Sequence, residues 1–294
     1  MRTNFPIVFV FLAALAVEAA AATPEQAWKA DHATDNAEYA TVKHAILKIN
    51  DAAYVADGQS VSLVGDPAKP TSWHWLKGVQ KGAVLVAGWA GGHAHATRNG
   101  KAVSEAVLAT GVDIVPGIDV VGAAAQIAPG QTGLRVAVFN QQSAAAKAFK
   151  GVDYFPYDPA YRILAHFKPD PNMTPHIFRT SRGWDKQFYH AGDALFTLQG
   201  KSVVLPLYTD EKTPAKVSTM TSFFTDGMTG KGAYAAGRYV DVEKFAKFPP
   251  AAVTIDFNYA YNPNCARSRF YNCPFAVDDI PLAIKAGERD PHAH

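Results

Sequence analysis

The chain of 294 residues holds only two cysteines and four methionines, and no long apolar run beyond its N-terminus. Two cysteines cannot furnish the four thiolate or mixed ligands of a closed zinc site. No later stretch is long enough to cross a bilayer as a helix, so no membrane span is expected. Charge is nearly balanced, with 28 Lys and Arg against 26 Asp and Glu for a net charge of +2, and there is no block of one sign. A nucleic-acid surface usually presents a clustered basic face, so no nucleic-acid partner is expected. The chain has no Gly-x-Ser-x-Gly elbow, no His-Glu-x-x-His helix and no dinucleotide fingerprint, which argues against serine-hydrolase, zincin and Rossmann chemistry. No cofactor is expected. Hydrophobic residues make up 48% of the chain, enough for a sizeable core.

What is present begins with an export pattern. Arg2 gives a positive start, Ile7 to Ala16 is an apolar run, and Ala20-Ala21-Ala22 offers small residues for cleavage. Cleavage is expected after Ala22, giving a soluble periplasmic or secreted protein. In that compartment Cys265 and Cys273 are expected to form a disulfide. Closing so short a loop would stabilise the fold by about 2.5 kcal/mol. The competing reading is a reactive thiol at Cys265. At the other end, His292 and His294 lie in a polar tail expected to be disordered.

Thr23-Pro24-Glu25-Gln26 is a helix start, with Thr at the N-cap, Pro in the first turn and Gln at N3. It opens a helix over residues 23–45 whose expected role is packing. From residue 46 the pattern becomes short strands broken by turns. Ser72-Trp73-His74-Trp75-Leu76 puts both tryptophans on one face and His74 on the other. Asn99-Gly100 is a hairpin signal, and Ser143 to Phe149 suits a short helix. In the second half, strands are expected at 161–167, 175–180, 185–190, 194–198, 202–207, 221–225, 237–242, 253–257 and 282–285. The expected fold is mainly β: antiparallel sandwich or barrel-like units with a short N-terminal helix. A composition change at Gly151–Pro159 suggests units at 23–150 and 151–294, after the signal at 1–22.

Three groups could carry chemistry. Asp226-Gly227-Met228-Thr229-Gly230-Lys231-Gly232, continuing to Tyr234 and Gly237-Arg238-Tyr239, could fold into an anion-binding nest or a polar hairpin turn. Arg238 lies in an otherwise apolar strand and needs a carboxylate partner or a ligand anion. Asp256 and Asn258, two apart at a strand end that runs into Tyr261 and Asn262-Pro263, could orient water or a substrate hydroxyl, or satisfy local backbone. His93 and His95 share a strand face, but no third or fourth ligand is near, so no metal site is expected.

Several segments together resemble a family of unassigned function, DUF1684. They are Thr132-Gly133-Leu134-Arg135, Phe149 to Pro159, Phe224 to Lys231 with Tyr234 and Gly237-Arg238-Tyr239, Asp256 to Ala266, Cys273-Pro274, and Ala286-Gly287-Glu288. The resemblance spans roughly residues 130–290. It implies that the Asp226–Tyr239 turn and the Asp256–Cys273 segment form one functional region, and that the fold is predominantly β.

The leading functional expectation is therefore a pocket in the C-terminal half for a small polar or anionic ligand. Lys231, Arg238, Arg267 and Arg269 would supply positive charge. Asp226, Tyr234, Asn258, Tyr261, Asn262 and Glu288 would line the site with Asp256. One alternative is a hydrolase with Asp256 as general base and Arg238 or Lys231 stabilising negative charge. Another is a β scaffold for protein or envelope contacts.

Overall fold

The computed structural model describes residues 22–291. The export pattern lies outside the described residues except for Ala22, as do His292 and His294. The helix α1 runs Pro24–Ala40 and so ends before the expected residue 45, with Thr41 as its C-cap. Thr23 Oγ1 accepts from Gln26 N while Gln26 Oε1 accepts from Thr23 N, so the capping box closes as its sequence dictates.

Two antiparallel sheets follow. One has four strands in the order Ile49–Val55, Gln131–Asn140, Ile118–Ala128 and Val112–Val115. The other has five, in the order Lys69–Lys77, Gln59–Asp66, Leu85–Ala90, His93–Arg98 and Lys101–Val103. They share one core, in which Trp73, Trp75, Leu63 and Leu85 of the second sheet meet Val55, Leu134 and Val136 of the first. This is a sandwich in which period-2 alternation turns every second side chain inward. His74 faces out, as the alternation requires. Asn99 and Gly100 take φ values of 49° and 78°, the left-handed pair that a two-residue hairpin needs. His93 and His95 are both exposed.

The C-terminal sheet runs Arg238–Asp241, Thr221–Asp226, Lys201–Thr209, Lys186–Leu198, Arg162–Pro169 and Ala252–Asp256. Pro175–Phe178 pairs with Lys186–Leu198, and Asp278–Ile280 runs parallel to Thr221–Asp226. The outermost strands of the path meet again through a Val242–Ile255 bridge and a Glu243 N to Thr254 O bond of 2.9 Å. The sheet thus curls around its own core, which includes Phe167, Leu205, Leu207, Phe224, Ile255 and Phe257.

Three strands differ from the sequence expectations. The strands read at 185–190 and 194–198 are one, because Ala191-Gly192 forms a bulge rather than a turn. Gly192 has φ 149°, and a Cβ there would lie 2.3 Å from the Lys168 carbonyl oxygen. The 253–257 strand ends at Asp256, which caps a single 3₁₀ turn, Phe257–Tyr259. Residues 282–285 form no strand; Ile284 N instead donates to Asp226.

Candidate functional site

The helix α1 does more than pack. Trp28, His32 and Tyr39, spaced four and seven apart, share one face and are buried. Trp28 Nε1 donates to the Asn258 carbonyl at 2.8 Å, and Tyr39 OH donates to Glu288 Oε1 at 3.1 Å. Asp31, Asp35 and Glu38, spaced four and three apart, form an adjacent acidic stripe. Tyr259 OH donates to Asp31 Oδ2 at 2.8 Å. These bonds fasten the helix across the C-terminal sheet and leave a cleft of about 710 Å³ between them.

The cleft is walled by the acidic stripe with His32 and Tyr39 on one side. On the other are Asp241, Glu243 and Lys244, then Asp256, Tyr259 and Tyr261, with Tyr154 and Glu288 completing it. Seven of its lining side chains are carboxylates, and Lys244 is the one lysine or arginine among the described residues that line it. The field inside is therefore negative.

Glu288 is 2% exposed and accepts from Tyr39 OH, from Asn262 N and from Arg267, each at 3.1 Å. Burial pushes its carboxyl above the ordinary range, against the pull of the Arg267 guanidinium. It reaches this position because Gly287, at φ 76°, lets the chain pass the Ala260 carbonyl, where a Cβ would stand at 2.4 Å. Burial likewise pushes the Tyr39 and Tyr154 hydroxyls well up, so both remain protonated donors at neutral pH.

Asp256 is 4% exposed. Its Oδ1 accepts from Asn258 N at 2.9 Å and from Asn258 Nδ2 at 2.8 Å. Oδ2 takes no hydrogen bond from the described residues. Burial raises the carboxyl's pKa despite the two bonds from Asn258. His32 Nδ1 lies 3.0 Å from Asp35 Oδ2, and the imidazole stacks on Tyr154 with centroids 3.7 Å apart. A carboxylate at Asp35 only accepts, so the bond places a proton on Nδ1; Nε2 then accepts in the neutral ring and donates in the charged one. His32 Nε2 and the Tyr154 hydroxyl are buried with no partner among the described residues.

The expected site is thus split. Asp256, Tyr261 and Glu288 line the cleft; Asp226, Lys231, Tyr234, Arg238, Asn258 and Asn262 do not. Arg238 is 1% exposed, and its Nη2 donates to Asp226 Oδ2 at 2.9 Å and to Ile284 O at 3.0 Å. Its Nη1 bonds the carbonyls of Ala286 and Glu288. The carboxylate that Arg238 needed is Asp226, not Asp256, and the guanidinium ties the C-terminal segment to the sheet. The turn is not an anion nest either. Asp226 fills it from within, accepting from Met228 N and Thr229 Oγ1 at 3.1 Å and from Ile284 N at 2.9 Å, while Lys231 is exposed. Asn258 braces Asp158 through both its amide atoms, and Asn262 donates to Arg289 O. Arg267 stacks on Tyr39, 4.5 Å from the ring centroid, and Arg269 is exposed.

Cys265 and Cys273 are free thiols rather than a disulfide. Cys265 N donates to Cys273 Sγ at 3.3 Å, and the hydrogen bond between the two side chains lowers the Cys265 pKa while raising that of Cys273. The pair stands at a loop held by the bonds of Ser181 to Cys273, with neither cysteine lining the cleft.

The α1 contribution was missed from sequence, although the interleaved spacings of Trp28, His32, Tyr39 and Asp31, Asp35, Glu38 carried a signal for it.

Among solved structures, the solution NMR structure of an uncharacterized protein of Haloarcula marismortui is similar at 29% identity, covering 50% of this chain and 80% of that chain, with a TM-score of 0.42. No curated protein matches the chain. Over residues 147–289 the chain matches the family described as "Protein of unknown function (DUF1684)".

Proposed function

We propose that the protein binds a small polar ligand in the cleft between α1 and the C-terminal sheet. One observation carries this reading: the cleft has the volume of a small-molecule site, and two of the residues lining it hold buried polar atoms with no protein partner among the described residues, His32 Nε2 and the Tyr154 hydroxyl. Buried polar groups are ordinarily satisfied, so such atoms in a cleft wall favour a ligand that completes them. The N-terminal pattern of Arg2, Ile7 to Ala16 and Ala20-Ala21-Ala22 favours export, and N-terminal sequencing of the mature protein tests that part.

The test is a thermal-shift screen of small polar compounds against the wild type and Glu243→Lys. Glu243 is exposed at the cleft rim, so the variant should fold normally while reversing the charge at the entrance. Compounds that raise Tm in the wild type should lose that effect in the variant. Hits that act equally on both would place binding elsewhere.

Hydrolysis is a second reading, favoured by Asp256 alone. A carboxyl whose pKa is raised by burial, with Oδ2 unbonded by protein, suits a general base. Arg238 has no part in it, because both terminal nitrogens are engaged by Asp226 and by backbone carbonyls. Turnover of any substrate that survives Asp256→Asn would remove this reading.

A further inference from the structure

The charges of the cleft do not cancel. Arg267 compensates Glu288, and Arg162 grips Glu243 with two bonds of 2.8 Å. Asp31, Glu38, Asp241 and Asp256 have no cation bonded to them; Arg162, the cross-strand neighbour of Asp256, acts on it only through space, its guanidinium being held by Glu243. Asp31 and Asp241 are instead held by phenols, from Tyr259 at 2.8 Å and from Tyr261 at 3.2 Å. Asp256 is the sharpest case: it is 96% shielded, half its oxygen capacity is taken by a neutral amide, and its other oxygen has no protein donor. A desolvated carboxylate with no bonded counter-charge is costly, and the cost falls when a cation arrives.

The unpartnered atoms point the same way. Asp256 Oδ2 accepts, the Tyr154 hydroxyl can accept as well as donate, and His32 Nε2 accepts whenever the imidazole is neutral. The His32 side chain is itself only 9% exposed. A site whose open valences include these acceptors fits a ligand that carries N–H donors. Four tyrosines in the wall, Tyr39, Tyr154, Tyr259 and Tyr261, add ring surface of the kind that attracts ammonium and guanidinium groups.

We infer that the cleft recognises an organic cation, a primary ammonium or guanidinium on an aliphatic stem, with Asp256 Oδ2 as its principal anchor. The inference rests on the cleft being the ligand site, as proposed above. It runs opposite in sign to the anionic ligand expected from Lys231, Arg238, Arg267 and Arg269, none of which lines the cleft.

The experiment is isothermal titration of the purified protein with 1,4-diaminobutane, butane-1,4-diol and succinate, which share a four-carbon stem and differ in charge. The same titrations are run on Asp256→Asn and Glu38→Gln. Asn keeps the Oδ1 acceptor that caps the 3₁₀ turn, and Glu38 is exposed, so both variants should fold; circular dichroism checks this. The diamine should bind the wild type, with affinity weakened about tenfold or more in Asp256→Asn and less in Glu38→Gln. Diol or succinate binding that Asp256→Asn abolishes, without diamine binding, would overturn the cation and leave the cleft standing. Diamine binding unchanged in both variants would place the cation elsewhere and overturn the inference. No binding by any of the three would overturn the inference and remove the support for a ligand site.

Discussion

Replacing Arg238 with methionine keeps most of the side-chain volume and removes the guanidinium. In the native protein that group is buried against Asp226, whose side chain has no exposed surface. Removing one partner of a buried ion pair costs about 3–5 kcal/mol, because the remaining charge is left without compensation. Asp226 keeps its bonds from Met228 N, Ile284 N and Thr229, which moderates that loss. The carbonyls of Ile284, Ala286 and Glu288 lose a donor as well, each an added penalty of about 1 kcal/mol or more where water cannot enter. The loss expected for Arg238→Met is therefore about 4 kcal/mol, measured by urea unfolding followed by tryptophan fluorescence. At about 2–4 °C per kcal/mol for a chain of this size, Tm should fall by roughly 10 °C. Asp226→Asn/Arg238→Met should recover part of the loss by removing the stranded charge. A loss under about 1 kcal/mol would refute the account, since an exposed pair is worth no more than that. So would lost ligand binding at full stability, which would return Arg238 to the functional site.

Three further outcomes follow from the same geometry. Burial pushes the Asp278 carboxyl up to about 6, above the ordinary value near 3.8, so the folded state holds the proton more tightly than the unfolded chain. The penalty for ionising it grows as pH rises from about 4 to 6; Asp278→Asn should therefore raise Tm at pH 7 and leave it nearly unchanged at pH 4, as scanning calorimetry would show. Tyr39→Phe removes a donor from buried Glu288 and should cost about 1–3 kcal/mol in urea unfolding, whereas an unchanged midpoint would mean the Tyr39–Glu288 bond contributes nothing. Thiol titration of denatured, unreduced protein should count two thiols per chain, and a count of zero would restore the disulfide.

The strand pattern was legible because alternation is a local property. Trp73 and Trp75 face inward and His74 outward by the pleat alone, and Asn99-Gly100 fixes a hairpin through its own backbone preferences. The capping box at Thr23 and Gln26 sets the start of α1 for the same reason. Reading fails where a local signal has two outcomes. Strands 185–190 and 194–198 looked separate and are one strand with a bulge at Gly192, because the deciding contact is the Lys168 carbonyl on the neighbouring strand. Residues 282–285 looked like a strand, yet their backbone serves the Asp226 carboxylate.

The candidate site divides along the same line. Sequence established a β protein with a capped N-terminal helix and marked Asp256, Tyr261 and Glu288 as unusual polar groups. It also showed that Arg238 required a carboxylate or a ligand anion, by the cost of burying a guanidinium alone. It pointed to Asp256 as the counterpart and the partner is Asp226, because both would satisfy that requirement and only the path of the chain separates them. Nor could it bring α1 to the cleft: Trp28 and Asn258 are 230 residues apart in sequence and bonded in space. The sign of the cleft's charge was decided there, when tertiary packing turned Arg238 and Arg267 onto internal carboxylates and laid Asp31, Asp35 and Glu38 along its wall. Composition counts charges and periodicity assigns faces, but which charges neutralise one another is fixed only by distance in the folded chain.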